Sequence, residues 1–347
     1  MTHPLVLGIE TSCDDTACAL LDGEGRVLAS VVSSQLAAHR PYGGVVPEIA
    51  SREHLSNWPV VSAEALARAG VSLSEVDLVA ATRGPGLVGA LLVGLSVGKA
   101  VAFALDRPFH AVHHLEGHLF SPFLPPPSEP GPSVSPPSRF VGLVVSGGHT
   151  SLFGVEDGEV STLAETRDDA MGEVFDKVGK RLGLPYPQGP RVDELAERGD
   201  AAAHRFAVKP AGEDLFFSFS GLKSQALLEI EKLERRLGPL DVESPEALNL
   251  LAGFRAAAVG QILDRLERLH RREPIGLLAV SGGVAANRLL RRQLPAWAAE
   301  REIDLRLVPL AWSGDNAAMI AHAALLRHRR GSEGDPFEAE AESRIPL

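Results

Sequence analysis

Two histidines four residues apart, His114 and His118, stand in the stretch HHLEGHL (113–119) with Glu116 between them. Imidazoles and carboxylates at such spacing can hold a metal ion and act on the water it activates. If 114–123 is helical, residues four apart differ by about 40° around the axis, so both rings share a face and can reach one ion. Glu116, about 200° round, points away. Zinc proteases place the general-base glutamate directly after the first histidine, as H-E-x-x-H. The order H-x-E-G-H takes that base out of reach and argues against a peptidase. The other reading of the pair is structural, as core or capping histidines, and a third ligand would decide. Asp315 in SGDNAAM is the candidate, at the start of the last helix with Ser313 as its expected cap. Two histidines and a carboxylate suit Fe(II) with open positions, or Zn(II).

A second chemistry is written in glycine. Where a strand ends in a glycine turn and a helix begins, free backbone N–H groups and a positive helix terminus meet at one spot, which holds phosphate well. SGGHT (146–150) and SGGVAAN (281–287) are such turns, and ETSCDDT (10–16) is a polar counterpart. A lone GG turn more often just makes a tight bend. Three at equivalent places in a repeat point to a nucleotide cleft, the second lobe carrying two of them and the first lobe facing them.

The elements that would carry these turns occur twice. LVLGIE, TACALLD and RVLASVVSS are three consecutive strands, and so are FVGLVVS, TSLFGVE and EVSTLAE. Each half then runs a buried strand into a glycine turn and a helix, VDLVAATRGPGLVGALLVGLSVG and IGLLAVSGGVAANRLLRR, followed by a further strand and helix. The expected class is α/β, with two lobes of order βββαβαβα and extra helices inserted in the second at about 190–270. The expected lobes are 1–120, with the helix at about 315–330 packing back on it, and 139–314. Between them, 121–138 is rich in proline and serine and reads as a linker or exposed loop.

Composition sets the bounds. A chain of 347 residues is comfortable for two lobes. The run LVGALLVGLSVGKAVAFAL is long and apolar, but recurrent glycine and Lys99 favour a buried helix over a membrane span. Two cysteines without C-x-x-C spacing, and a start with no cleavable apolar segment, suit a reducing cytoplasm. A net charge of −11 argues against a general nucleic-acid binder. The basic clusters at 270–272, 291–292 and 327–330 read as solvated helix faces, and the acidic tail 331–347 as disordered.

Nine motifs in order carry a resemblance. They are GIETSCDDT (8–16), PEIASREH (47–54), TRGPGLVGALLVG (82–94), HHLEGHL (113–119), LVVSGGHTSL (143–152), DDAMGEVFDKVGKRLGLPYPQGP (168–190), FSFSGLKS (217–224), VSGGVAANRLLR (280–291) and SGDNAAMI (313–320). Together they resemble the bacterial tRNA N6-adenosine threonylcarbamoyltransferases, formerly classed as O-sialoglycoprotein endopeptidases. The likeness spans roughly residues 5 to 330, leaving out the Pro-rich loop and the tail.

The resemblance implies an actin-like, sugar-kinase-like (ASKHA) fold. It also implies transfer of a threonylcarbamoyl group from threonylcarbamoyl-AMP to N6 of the adenosine 3′ of the anticodon in ANN-decoding tRNAs, with AMP leaving. Carried over by motif, His114, His118 and Asp315 would hold one divalent metal ion, Fe(II) before Zn(II). The adenylate would be held by Val144, Val145, Ser146, Gly147 and Gly148, by Asp176, Gly189 and Asp193, and by Asn287. Asp14 is the candidate catalytic carboxylate near the metal or the entering N6, or else a turn-forming aspartate. The implied partners are tRNA, a smaller paralogue of the same fold and a small ATPase, in the cytoplasm and without a membrane. A basic surface including Arg52 and the 327–330 cluster would meet the tRNA. Two positions depart from the family pattern: Gln188 stands where a second glycine is expected and would narrow the ribose pocket, and Ser313-Gly314 stands where many relatives have Cys or Ser and then Thr.

Overall fold

The computed structural model describes residues 4–208 and 215–347. They form two compact units, Met1–Pro136 with Val308–Leu347, and Pro137–Leu307.

In unit 1, β1 (Val6–Glu10), β2 (Asp15–Leu21) and β3 (Val27–Ser34) are joined by short turns. They are followed by α1 (Leu36–His39), α2 (Pro47–Ala69), β4 (Leu78–Gly84), α3 (Val88–Leu105), β5 (Phe109–His113) and α4 (His114–Phe120). The sheet order is β3-β2-β1-β4-β5. β1 pairs antiparallel with β2 and parallel with β4, is buried throughout, and so reads as an unbroken apolar run until its last residue, Glu10. Leu7, Ile9, Leu20, Val61, Leu95 and Phe109 form the core on the α2 and α3 side.

Unit 2 repeats the plan. β6 (Arg139–Val145), β7 (Thr150–Glu156) and β8 (Glu159–Glu165) lead into a helical layer of α5 (Met171–Arg181), α6 (Gln188–Ala196), α7 (Ser220–Leu237) and α8 (Pro245–Arg272). Then come β9 (Leu277–Ser281), α9 (Arg288–Ala299) and β10 (Asp304–Leu307). The sheet order β10-β9-β6-β7-β8 is that of unit 1 strand for strand, so both α/β units have the expected strands, while unit 2 ends on β10 without a closing helix of its own. The helical insertion expected at about 190–270 corresponds to α6, α7 and α8, with 209–214 outside the described residues.

The last helix, α10 (Ala317–Arg329), belongs to unit 1 and is buried from Ala317 to Leu326. The chain returns to unit 1 at Val308, earlier than the expected 314, and Trp312 Nε1 donates to the Pro125 carbonyl at 2.8 Å.

Of the two readings of 121–138 the exposed loop holds from 127 onward, where most residues are exposed, and the linker does not: Ser121, Pro122 and Phe123 are buried, and the Ser133 amide donates to the Glu24 carbonyl at 3.1 Å. The acidic tail is not disordered along unit 1. Asp335 N donates to Phe109 O at 2.6 Å, Asp335 Oδ2 accepts from Ala111 N at 2.9 Å, and the Phe337 ring stacks on Phe109 with centroids 6.2 Å apart. Finally, α3 is buried on one face only. Ala90, Leu91, Gly94, Leu95, Gly98 and Ala102 meet the core, while Val88, Leu92 and Phe103 are exposed.

Candidate functional site

The histidine pair is set by the junction of β5 and α4. His113 ends the edge strand with extended dihedrals and caps the helix, its Nδ1 accepting from Leu115 N at 3.1 Å. His114 and His118 then fall on one face, with ring centroids 4.7 Å apart and planes at 87°. Gly117 lets α4 lie against α10, since a Cβ there would sit 2.9 Å from Ile320 Cδ1 and 3.1 Å from Met319 Cγ. That approach delivers Asp315, just ahead of α10. Its Oδ1 is 3.1 Å from His118 Nε2 and 3.5 Å from His114 Nε2. Donor atoms about 2.0–2.1 Å from one tetrahedral ion stand roughly 3.4 Å apart, so this donor set fits Zn(II) or Fe(II). One donor atom from each of the three residues lies within 4.8 Å of the others. The cap of α10 is Asn316, whose Oδ1 accepts from Met319 N at 3.0 Å, and not Ser313, whose hydroxyl donates to Leu310 O at 2.8 Å.

Glu116 points away from the metal face, as the spacing requires. It is buried and paired with Arg327, whose Nε donates to Oε1 at 2.9 Å, so it has no access to a metal-bound water. Behind the other face of His114 stands a carboxylate that the sequence reading did not single out. Glu10 Oε2 lies 3.1 Å from His114 Nδ1 and accepts from Thr82 Oγ1 at 2.6 Å, and Oε1 accepts from Ser12 N. The available signal was a charged residue closing the otherwise apolar strand VLGIE. Burial lowers the His114 pKa, but Asp315 and then Glu10 outweigh it, raising it to about 9. A cation taken up at Nε2 would displace a proton.

Asp14 lies on the loop after β1, half-buried, with Gln35 N donating to its carbonyl at 2.9 Å. His54 braces that loop, Nε2 on the Cys13 carbonyl at 3.0 Å and Nδ1 beside Thr16 Oγ1 at 2.8 Å. Asp14 and Asp315 both act on Asp15, whose carboxyl is pushed up to about 7, chiefly by burial. The 327–330 cluster serves the fold and also presents charge, with Arg329 and Arg330 exposed. Arg327 holds Glu116, Arg329 donates to the Gly23 carbonyl at 2.8 Å, and Arg330 lies 5.9 Å over the Phe120 ring. Arg52 is exposed on α2.

Unit 2 carries a cavity of about 390 Å³, and the turns SGGHT and SGGVAAN both open into it, through Gly147 and Gly283. A Cβ at either glycine would meet nothing within 4 Å, so the missing side chains are what leave the space open. Gly282, at φ +91°, makes the turn that a side chain would strain. Asp176, Gly189, Asp193 and Asn287 line the same cavity. Asp176 Oδ1 accepts from Gly189 N at 2.7 Å. Asp193 bridges three partners: Asn287 Nδ2 at 2.7 Å, Arg288 N at 3.1 Å and Arg255 at 3.1 Å. Both carboxylates thus build the walls as well as offering acceptors. Of the remaining carried-over residues, Val144 and Val145 are buried in β6, Ser146 works through its backbone carbonyl to Gly172 N at 3.3 Å, and Gly148 lies outside the lining.

Phe175, Pro187, Pro190 and Val284, which lie within the quoted motifs but are not among the expected site residues, supply apolar wall. Gln188 does not narrow the cavity. It is buried against α5, where a Cβ on Gly179 would come within 2.5 Å of Gln188 Cβ. A slightly larger cavity, about 450 Å³ beside Arg139, Glu156 and Glu273, contains none of the motif turns.

The sequence matches the family model of tRNA N6-adenosine threonylcarbamoyltransferase over residues 26–322. It is 51% identical over 320 residues to the protein of that name from Pelobacter propionicus, covering 91% of this chain and 90% of the relative. It is 46% identical over 347 residues to the protein of that name from Thermus thermophilus, covering 99% and 98%. Among solved structures, HypF of T. kodakarensis is similar at a TM-score of 0.61 and 15% identity, over 95% of this chain and 48% of that one. The (R)-2-hydroxyglutaryl-CoA dehydratase component A of Acidaminococcus fermentans is similar at 0.53 and 14%, over 94% and 98%. These two likenesses bear on the fold alone, which is the actin-like, sugar-kinase-like one.

Proposed function

The chain belongs to the tRNA N6-adenosine threonylcarbamoyltransferase family, and on that premise we propose that it takes the threonylcarbamoyl group from threonylcarbamoyl-AMP to N6 of the adenosine 3′ of the anticodon in ANN-decoding tRNAs. In this reaction the N6 lone pair attacks the carbamoyl carbon, the bond from that carbon to the phosphate oxygen breaks, AMP departs and N6 gives up a proton. The observation that carries the reading is the donor set His114, His118 and Asp315, which a kinase of the same fold does not need.

These three residues would hold one divalent ion, Fe(II) before Zn(II), and when bound it would supply a Lewis acid and template for the carbonyl and phosphate oxygens. The unit 2 cavity would hold the adenylate. From the stretch Val144–Gly148, Gly147 would bring backbone close to it, with Asp176 and Asp193 accepting from ribose hydroxyls and Gly189 and Asn287 completing the wall. A conjugated amine is a weak nucleophile, so positioning outweighs a strong base, and Asp14 is the supporting carboxylate.

We assign the protein to the cytoplasm, with a smaller paralogue of the same fold and a small ATPase as partners. Val88, Leu92 and Phe103 on the outer face of α3 suit a protein partner. Val88–Leu105 is the one helix among the described residues long and apolar enough to cross a membrane.

The test is to incubate the purified chain with threonylcarbamoyl-AMP and an unmodified ANN-decoding tRNA, adding the partners if needed, and to identify the nucleosides by mass. Threonylcarbamoyl-adenosine from the wild type, but not from His118→Ala or Asp315→Ala, is expected. No product with the full set of partners would reject the reading.

A further inference from the structure

We propose that Glu10 is a positioning residue for the metal centre, holding His114 in the tautomer and ring orientation that present Nε2 to the ion. This rests on the metal reading above.

A carboxylate with no exposed surface at the end of an apolar strand is costly unless its oxygens are supplied with donors. Those of Glu10 are supplied from three parts of unit 1: the loop after β1 through Ser12 N, β4 through Thr82 Oγ1, and α4 through His114 Nδ1. The hydroxyl and the amide serve the carboxylate, and the carboxylate serves the imidazole. An acceptor at 3.1 Å keeps the proton on Nδ1, so Nε2 is the nitrogen that would give up its proton to an ion. Nε2 is the nitrogen 3.5 Å from Asp315 Oδ1. The Ser12 hydroxyl also faces Nδ1, at 3.3 Å, but the Ser12 backbone is itself tied to Glu10, so removing Glu10 loosens both contacts. His118 differs: its Nδ1 is buried with no hydrogen-bond partner among the described residues, so no acceptor stands behind its ring, and its one polar contact is Nε2 to Asp315 at 3.1 Å. Of the two rings, only that of His114 is oriented from behind by a carboxylate, Glu10.

The test uses the whole chain and Zn(II) alone, titrated into wild type, Glu10→Gln and His118→Ala, with circular dichroism as the fold control. Glu10→Gln keeps the shape and removes the charge, and is expected to bind Zn(II) about 10- to 100-fold more weakly. Nitrogen-15 spectra of histidine-labelled wild type with Zn(II) need no variant, and are expected to show His114 protonated on Nδ1 and metallated on Nε2. Affinity of Glu10→Gln within twofold of wild type, or a metallated Nδ1, overturns the role of Glu10 and leaves the metal site standing. Wild type binding no better than His118→Ala overturns both.

Discussion

Arg327 grips Glu116 with two donors, Nε on Oε1 at 2.9 Å and Nη2 on Oε2, and so ties the helix that carries both histidine ligands to the helix that follows Asp315. The glutamate that looked like a protease base is instead the fastening of the centre. Removing one partner of a buried pair strands the other. Since the Arg327 side chain is 25% exposed, Arg327→Met should cost roughly 3 kcal/mol, the low end of the usual range. Urea unfolding measures this, and adding Glu116→Gln should recover most of the loss. A single variant as stable as wild type would mean the pair fastens nothing.

The tail makes a second, separable contribution. His113, the cap of α4, has Nε2 3.1 Å from the Ile345 carbonyl, Phe337 covers Phe109, and Arg83 is paired with Glu342. Deleting residues 332–347 should destabilise the chain by about 2 kcal/mol, from partial burial of one aromatic ring and a few hydrogen bonds. It should also weaken Zn(II) binding, because the metal helix loses the brace at its cap. Unchanged unfolding and unchanged Zn(II) titration would show that the tail merely rests on the surface.

What the sequence displayed was periodic or local. Three strands and alternating helices can be read twice because apolar runs and glycine turns recur in the same order, and both sheets follow it. His114 and His118 share a face by helical arithmetic alone. What it hid depends on contacts distant in the chain. Nothing near Glu10 in sequence names Thr82 or His114 as its partners, 72 and 104 residues away. Gln188 looked like an intruder in a ribose pocket because its side-chain direction depends on Gly179 in a neighbouring helix. The tail is acidic and proline-bearing, a composition typical of disorder, yet Phe337 and Asp335 find an edge strand to lie on.

The cavity in unit 2 is open where Gly147 lacks a side chain, which makes it testable without harming the fold. Gly147→Val places three carbons where a Cβ alone would meet nothing within 4 Å, so stability should hold. AMP affinity measured by calorimetry should fall at least about tenfold, the equivalent of ~1.4 kcal/mol of lost fit. Equal AMP binding by wild type and variant would move the adenylate elsewhere.

Acid should unfold the metal-free chain early, because unit 1 buries neutral histidines. Burial pushes His110 down to about 4, His113 to about 4 and His322 to about 3. Their folded values lie below the unfolded one near 6.5, so between about 6.5 and 4 the unfolded chain binds more protons and stability falls as pH falls. Asp15 opposes this. Raised to about 7, chiefly by burial, it takes a proton in the folded state first and adds stability over the same range. With His54, which burial also lowers, the histidines outweigh Asp15, so unfolding takes up about two protons near pH 5, a slope of about 2.7 kcal/mol per pH unit there. His114, held at about 9 by Asp315 and Glu10 against burial, is already protonated and adds little there. Urea unfolding of chelator-treated protein at pH 5.5, 5 and 4.5 measures the slope. Replacing His322 by Leu should lower it by one proton, and a flat profile in the wild type would show that these histidines gain access to water in the folded chain.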